Sequence, residues 1–519
     1  MPKFHTSLVY DEYVNYLKKI KFETDFETDL VSKEQIQNRL KQKFVSSTLH
    51  LYGKKFSDFV VINNSVPSDA QFYDLNSIKV NAQSKVELSL IVKVKSLLEF
   101  ISEWFLFLVC IILNRFTANK IETGSVSLLF GLGQESILNE NSDKRFVNYL
   151  KSYDKHKIEP LGQFESLVVQ SDTRIKSTAD HIFYSKYPQA FIFKKYNFKW
   201  MQYFKIFGLH FLSLGDFFKI VVCHPELISI ARDFSCLRVF SYISGLGLIK
   251  DIMYTMSNCT YQPLWMRLAQ TKKPKINKVH YSQNCRQLVY KDYLHEAVNP
   301  YFFEVFADTA WVWTDDFKQF VSQVYKCSDV RAVGPIMFYL PTEASSAQFN
   351  QTEFNISLFD VTPFNDDYIK SIGVLNNYYS SENLKKFLHD LIHVSIQIEK
   401  ELNLKINIFL KHKRSYHKLH EQSYIDLCSQ YISQKKIITI PFEENIFNFI
   451  ADTDLSVAIP YTSTAHICAH YGKESLYYDP TGEILLQPNF SSKVLLVDDQ
   501  NKLHKILKQK VRDKFNVVL

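Results

Sequence analysis

The sequence predicts an α/β chain of two tandem lobes, each built on a parallel sheet, behind a mainly helical N-terminal region. Three observations predict it. The chain has 519 residues, more than one hydrophobic core usually supports, so two or three domains of about 100–200 residues are expected. From about residue 121, short apolar runs alternate with stretches of helical period, the pattern of βαβ units. One polar stretch without apolar period, PTEASSAQFNQTEF at 341–354, interrupts that alternation and reads as a linker.

Residues 1–120 carry apolar side chains at three- and four-residue spacing in YDEYVNYLKKI and SKEQIQNRLKQKF, with Ser32 and Gln35 placed as a helix start. The most apolar run, Trp104 to Leu113, lies between Glu103 and Arg115. Its uncharged length falls short of the roughly 20 residues that cross a bilayer. It reads as a buried helix or as one lying on a membrane face.

The first lobe, 121–345, contains SVSLLFGL (125–132) and HIFYSKYP (181–188) as strands. KIVVCHPELISIARDF (219–234) reads as an apolar strand passing into a helix through His224 and Pro225. NKVHYSQN (277–284) and AWVWTD (310–315) are strand-then-loop units, and VRAVGPIMFY (330–339) is a last strand with a Gly-Pro break. The second lobe, 346–498, alternates more plainly. NISLFDVTPF (355–364), KINIFLKHKR (405–414), KIITIPF (436–442), DLSVAIP (454–460) and ESLYYDPTG (474–482) are strands with their loops. SENLKKFLHDLIHVSIQIEKEL (381–402) is an amphipathic helix. A basic helix at 499–519, with Leu503, Ile506, Leu507 and Val511 on one face, is expected to pack back on the first lobe. Both lobes are therefore Rossmann-like, and chemistry is sought in the loops at the carboxyl ends of strands.

Composition limits the function. With 46% hydrophobic and 22% charged residues the chain is not intrinsically disordered. Only 13 glycines argue against Gly-rich phosphate loops. A net charge of +7, without cations interleaved with stacking aromatics, argues against a nucleic-acid partner. The eight cysteines form no CxxC pair, which fits reduced thiols, a cytoplasmic setting and no metal site. The N-terminal stretch has no apolar region of the kind a signal peptide needs.

Four constellations could carry chemistry. In IPYTSTAH (459–466) a strand ends at Pro460, and Thr462, Ser463 and Thr464 open a helix. Hydroxyls and free N–H groups there suit a phosphate, and simple N-capping satisfies the same pattern. In LKHKRSYHK (410–418) Lys411, Lys413 and Arg414 follow a buried strand and could neutralise phosphates, or form a solvated loop. Asp479 and Thr481 in YYDPTG could accept hydrogen bonds from ribose or sugar hydroxyls, or only build a turn. In the first lobe Tyr281, Ser282, Gln283 and Asn284 follow a strand and could face an acceptor. His224, Glu226 and Asp315 are candidates for the base that deprotonates it. Thr314 to Asp316 also reads as a helix cap.

HYSQN (280–284), WVWTDDFKQF (311–320), VGPIMFY (333–339) and ADTDLSVAIPYTSTAHICAHYGKESLYYDPTG (451–482) resemble segments of bacterial surface-polysaccharide biosynthesis proteins of GT-B glycosyltransferase type. The resemblance covers roughly residues 275–490. It implies a GT-B-like fold that binds a nucleotide-sugar donor in the second lobe and an acceptor in the first. By position, Lys411, Lys413, Arg414, Thr462, Ser463 and Thr464 would hold donor phosphate, and Asp479 would sit near the ribose or sugar. It further implies a metal-independent transferase with no cofactor beyond its nucleotide-sugar substrate. The expected setting is lipopolysaccharide or capsule assembly on a lipid-linked or oligosaccharide acceptor. The apolar helix near 97–116 and the basic tail at 502–514 would then hold the enzyme at the inner membrane face. A polyol-phosphate transferase of the CDP-glycerol type, a sugar-nucleotide epimerase and a non-catalytic scaffold are the alternatives.

Overall fold

The structure is a computed structural model. It describes residues 31–48, 59–62, 85–88, 90–114, 116, 125–131, 166–170, 182–185, 191–193, 196–255, 262–267, 273–280, 282, 291, 305–336, 352–371, 378–412, 415–441, 444, 446, 450–485 and 494–516. Helix α1 (Lys33–Thr48) starts where Ser32 and Gln35 predict. The Ser32 N–H donates to Gln35 Oε1 at 2.8 Å and the Gln35 N–H donates to Ser32 Oγ at 3.3 Å. Strands β1 (Phe59–Ile62) and β2 (Lys85–Leu88) pair antiparallel as a separate ribbon.

Helix α2 (Leu90–Asn114) is followed by β3 (Val126–Phe130), β4 (Ser166–Gln170), β5 (Ile182–Ser185) and helix α3 (Trp200–Cys223). A 3-10 turn at Pro225–Ile230 and two short helices, α4 (Ala231–Phe234) and α5 (Leu237–Gly245), lead to β6 (Ile249–Tyr254) and β7 (Lys275–Val279). Then come β8 (Phe306–Val312), α6 (Asp315–Val324) and β9 (Lys326–Ala332). The seven strands lie in the order β5-β4-β3-β6-β7-β8-β9, all parallel. Strand β3 is buried along its whole length, as a parallel sheet covered on both faces requires.

The second lobe runs β10 (Phe354–Phe359), α7 (Asp366–Ser371), α8 (Ser381–Leu402), β11 (Ile406–Lys411), α9 (Gln422–Ser433) and β12 (Ile438–Ile440). It continues with β13 (Leu455–Ala458), α10 (Ser463–His470), β14 (Glu474–Tyr478), β15 (Val494–Val497) and α11 (Gln500–Phe515). Its sheet is β12-β11-β10-β13-β14-β15, again all parallel. Strands 3-2-1-4-5-6 in space are the doubly wound nucleotide-binding order. The architecture is thus α/β with two Rossmann-like lobes, GT-B-like in plan, as expected.

Three expectations are corrected. The apolar run at 219–223 is the end of α3, not a strand. Apolar residues lie on both its inner and outer sides, so no polar face reveals the helical period. The N-terminal helical region is not a body apart, because Phe100, Trp104, Phe107 and Ile111 of α2 belong to the first lobe's core. The C-terminal helix α11 packs on the second lobe, not the first. Leu503, Leu507 and Val511 enter the second core, and Lys508, Lys510 and Lys514 reach Glu401, Glu474 and Asp454 of that lobe at 2.6–2.7 Å. Its amphipathic face was visible in sequence, but not which lobe would cover it. The linker at 341–354 lies almost wholly outside the described residues.

Candidate functional site at the carboxyl edges

In the second sheet the chain runs outward from β10 to one side and then crosses to β13. The switch point is therefore the crevice beyond the carboxyl ends of these two neighbours. Register places Phe359, Lys411 and Ala458 side by side as the last residues of β10, β11 and β13. The residues that follow them build the site.

Backbone geometry there is unusual at matched positions. Thr362 has φ 46° and Tyr461 has φ 59°, each three residues beyond its strand. Left-handed backbone in a residue with a side chain costs about 1–2 kcal/mol, and it persists where its surroundings fix it. Tyr461 is fixed by burying its ring in the second-lobe core. Around it the Tyr379 hydroxyl donates to the Pro460 carbonyl at 3.0 Å, and the Tyr477 hydroxyl donates to the Thr462 carbonyl. Thr462 takes the N-cap position of α10 without capping it. Its hydroxyl turns back to donate to the Ile459 carbonyl at 3.0 Å.

Beside this turn lies a polar cluster. Asp360 is buried and accepts from His412 Nδ1 at 2.9 Å, from the Tyr424 hydroxyl at 2.8 Å and from Thr362 Oγ1 at 3.4 Å. His412 Nε2 meets the Tyr416 hydroxyl at 2.7 Å. Burial, with Asp360 adding its charge, pushes the Tyr424 phenol well above its ordinary range, and burial raises Tyr416 likewise. Both therefore stay protonated. Burial also pushes the neighbouring Cys428 thiol up to about 12, so it is no thiolate.

The first lobe supplies the opposite wall. Trp313, directly after β8, shares a buried apolar cluster with Phe359, Ala458, Ala465 and Cys468 of the second lobe. Its indole donates to the His280 carbonyl at 2.8 Å. Gly334, just after β9, approaches α10 so closely that a Cβ there would lie 2.6 Å from His470 Cε1. Lys291 ties Glu483 and Asp498 from the first-lobe side. Both sheets thus present carboxyl ends to one junction. Within it, burial lowers His466 of α10 to about 4 against the opposing pull of Asp316, and burial holds His280 neutral, well below its usual value.

The sequence candidates fare unevenly. Thr462, Ser463 and Thr464 stand at the switch point, and Lys411 ends the adjacent strand, mostly buried. Lys413, Arg414, Tyr281, Gln283 and Asn284 lie outside the described residues; Ser282 is described and buried. Asp479 is corrected. It is fully buried, and its two oxygens accept from the Tyr378 hydroxyl, the Thr481 N–H and hydroxyl and the Ile484 N–H at 2.7–3.0 Å. That set of bonds builds the turn and occupies the buried Asp479 carboxylate, while Thr481 stays half-exposed. His224 caps the end of α3 and is buried, and Glu226 follows in the 3-10 turn, so neither stands at a strand's carboxyl end. Asp315 is exposed in the first turn of α6, capped by Thr314 as its sequence allowed. Its buried neighbour Asp316 faces the junction instead.

Sequence reasoning missed Asp360, Tyr416, Tyr424 and His466, and it chose Asp315 over Asp316 as the candidate base. A usable signal existed for Asp360, an acid placed directly after a fully buried strand. Among the described residues no group of three or more His, Cys, Asp or Glu is placed to hold a metal ion.

Residues 212–507, more than half of the chain, match the family described as polysaccharide biosynthesis PFTS motif protein. The chain belongs to that family. Within the matched span Pro460, Tyr461, Thr462 and Ser463 read PYTS and form the strained turn at the switch point. No curated protein matches the PFTS-motif chain. Among solved structures it is similar to the pneumococcal O-GlcNAc transferase GtfA in complex with UDP and GlcNAc, at 10% identity and a TM-score of 0.31 over 54% of this chain and 53% of that one. The chain therefore spans about half of the pneumococcal protein. It is also similar to an α,α-trehalose-phosphate synthase (UDP-forming) from Burkholderia vietnamiensis, at 9% identity and a TM-score of 0.37 over 76% and 90% of the two chains. A third likeness is to the UDP-GlcNAc 2-epimerase from Methanocaldococcus jannaschii, at 10%, 0.38, 75% and 92%.

Proposed function

We propose that the protein is a glycosyltransferase that moves a sugar from a nucleotide-sugar donor to a growing surface-glycan acceptor, of lipopolysaccharide or capsule type, at the cytoplasmic membrane face. The acceptor hydroxyl oxygen bonds to the anomeric carbon as the bond from that carbon to the donor phosphate oxygen breaks. The nucleotide leaves with the electron pair, and a base takes the hydroxyl proton. The observation that carries the reading is the PYTS turn. It sets the start of α10 at the switch point of a doubly wound sheet, and Thr462 leaves the helix start uncapped by turning its hydroxyl away. The first N–H groups of α10, with Ser463 and Thr464 in its first turn, would then receive a phosphate. Lys411 at the next strand end, with Lys413 and Arg414 after it in sequence, adds positive charge. Membership of a polysaccharide-biosynthesis family agrees with the acceptor class.

The test is thermal stabilisation by a panel of UDP, GDP, CDP and CMP and their sugar conjugates. A ligand at 100 times its Kd adds about 2.7 kcal/mol to the native state, worth roughly 5 °C or more for a lobe of this size. The shift should appear with one base and shrink sharply in the Ser463→Ala/Lys413→Ala variant. Folded protein that responds to no nucleotide would instead point to a scaffold. A response to CDP alone would point to polyol-phosphate transfer.

A further inference from the structure

Helices α2 and α3 form an antiparallel pair. Phe100 stacks on Phe217 with ring centroids 4.2 Å apart, and Trp104 stacks on His210 at 4.7 Å. The Trp104 indole donates to the His210 carbonyl at 3.0 Å. The inner faces belong to the first-lobe core. The outer faces are apolar and exposed. Leu98, Phe105 and Val109 of α2 are 61, 55 and 49% exposed, and Met201, Phe204 and Val222 of α3 are 85, 63 and 76% exposed. Such residues recur every three or four positions, so each helix carries one outward stripe. A contiguous apolar surface of this kind marks an interaction site.

Charge selects the partner. The acids Glu103 and Asp216 point inward, to Arg232 and to Arg238 at 2.6 Å. At one end of the strip Lys93 and Lys95 outnumber Glu99, which Lys95 meets at 4.0 Å, and exposed Lys199 stands beside exposed Trp200 at the other. An apolar centre with a Lys or Lys-Trp border matches the acyl boundary and anionic headgroups of a bilayer. Both helices are long and apolar enough to cross a membrane, over Lys93–Asn114 and Trp200–Cys223. Crossing would tear their inner faces from the core and break both ion pairs, so a lipid-bound pair would lie in the membrane plane.

We propose that the outer face of α2 and α3 docks the first lobe flat on an anionic lipid surface. This rests on the membrane-face part of the proposed function and not on its donor site, because none of these residues belongs to the PYTS turn. The test is co-sedimentation of the full chain with vesicles of phosphatidylglycerol and phosphatidylcholine, against phosphatidylcholine alone. Wild type should partition onto the mixed vesicles. Leu98→Gln/Phe105→Gln/Met201→Gln/Phe204→Gln should lower that partition at least tenfold. Lys95→Glu/Lys199→Glu should lower it about fivefold per lysine, on the anionic vesicles only. All six side chains are exposed, so the melting transition and the nucleotide response should stay as in wild type. Three results overturn the proposal. One is folded wild type that ignores anionic vesicles. Another is a four-site variant that binds them undiminished while a dimer falls to monomers, which would make the face a contact between copies. The third is protein that resists alkaline carbonate extraction, which would mean it spans the bilayer.

Discussion

His466 makes the lobe junction sensitive to acid. It sits in α10, 5% exposed, across from Asp316 of the first lobe. Burial lowers its pKa from about 6.5 to about 4, and the Asp316 charge offsets only part of that. The unfolded chain takes up a proton below about pH 6.5, whereas the native imidazole stays neutral until about pH 4. Between those values the unfolded state binds more protons, so stability falls as pH falls. From pH 7.5 to 5.0 this one group should cost about 2 kcal/mol, a sizeable share of the roughly 5–15 kcal/mol that holds a domain together. Burial depresses His210 and His280 in the same direction, so the total pH effect does not isolate His466. The comparison that does is urea unfolding of wild type and His466→Gln at both pH values. The variant is expected to be less stable at pH 7.5 and to lose about 2 kcal/mol less on acidification. If both proteins lose stability equally, His466 is not the buried neutral imidazole described above.

Two further substitutions probe the junction and the cluster. Gly334→Ala forces a side chain into backbone at φ 77° and against His470. Urea unfolding should show a loss of about 1–2 kcal/mol from the backbone alone, with little added by the exposed and movable imidazole. A neutral Gly334→Ala would show that residue 334 is not held in left-handed backbone. Asp360→Asn keeps the shape but leaves one buried partner among His412 and Tyr424 facing an amide. It should cost about 1–3 kcal/mol and weaken the nucleotide-induced shift, and a variant with unchanged stability and unchanged response would remove Asp360 from the site.

The second lobe was legible almost strand by strand, because its central strands are short, buried and separated by helices with a clear polar face. Strand β10 is buried at all six positions and α8 opens on a Ser380 cap, and both were found. The first lobe was harder to read for a physical reason. Helices α2 and α3 are apolar inside and outside, so the contrast that betrays a helical period is missing, and the end of α3 passed for a strand. The outer stripe that hides the helix from sequence analysis is the surface proposed to meet lipid.

At the site, sequence reasoning found the elements better than the roles. PYTS was picked out because a strand, a proline and three hydroxyl residues precede a helix, yet sequence could not divide capping from anion binding. The fold shows that Thr462 does not cap the helix, and one torsion accounts for it. With Tyr461 in left-handed backbone and its ring buried, the chain bends so that the Thr462 hydroxyl donates to the Ile459 carbonyl behind it and meets the Thr464 hydroxyl at 3.4 Å, with no bond to a helix N–H. Asp479 went the other way, since an acid after a strand looks available until four donors are seen closing on it. Asp360 and Asp479 both follow buried strands, by one residue each. The difference between them is the company they keep. Asp360 holds a histidine whose far nitrogen reaches Tyr416, which is 40% exposed, while every partner of Asp479 belongs to its own turn or to buried Tyr378. A hydrogen-bond chain that ends at the surface can respond to a ligand, whereas a closed one can only hold the fold.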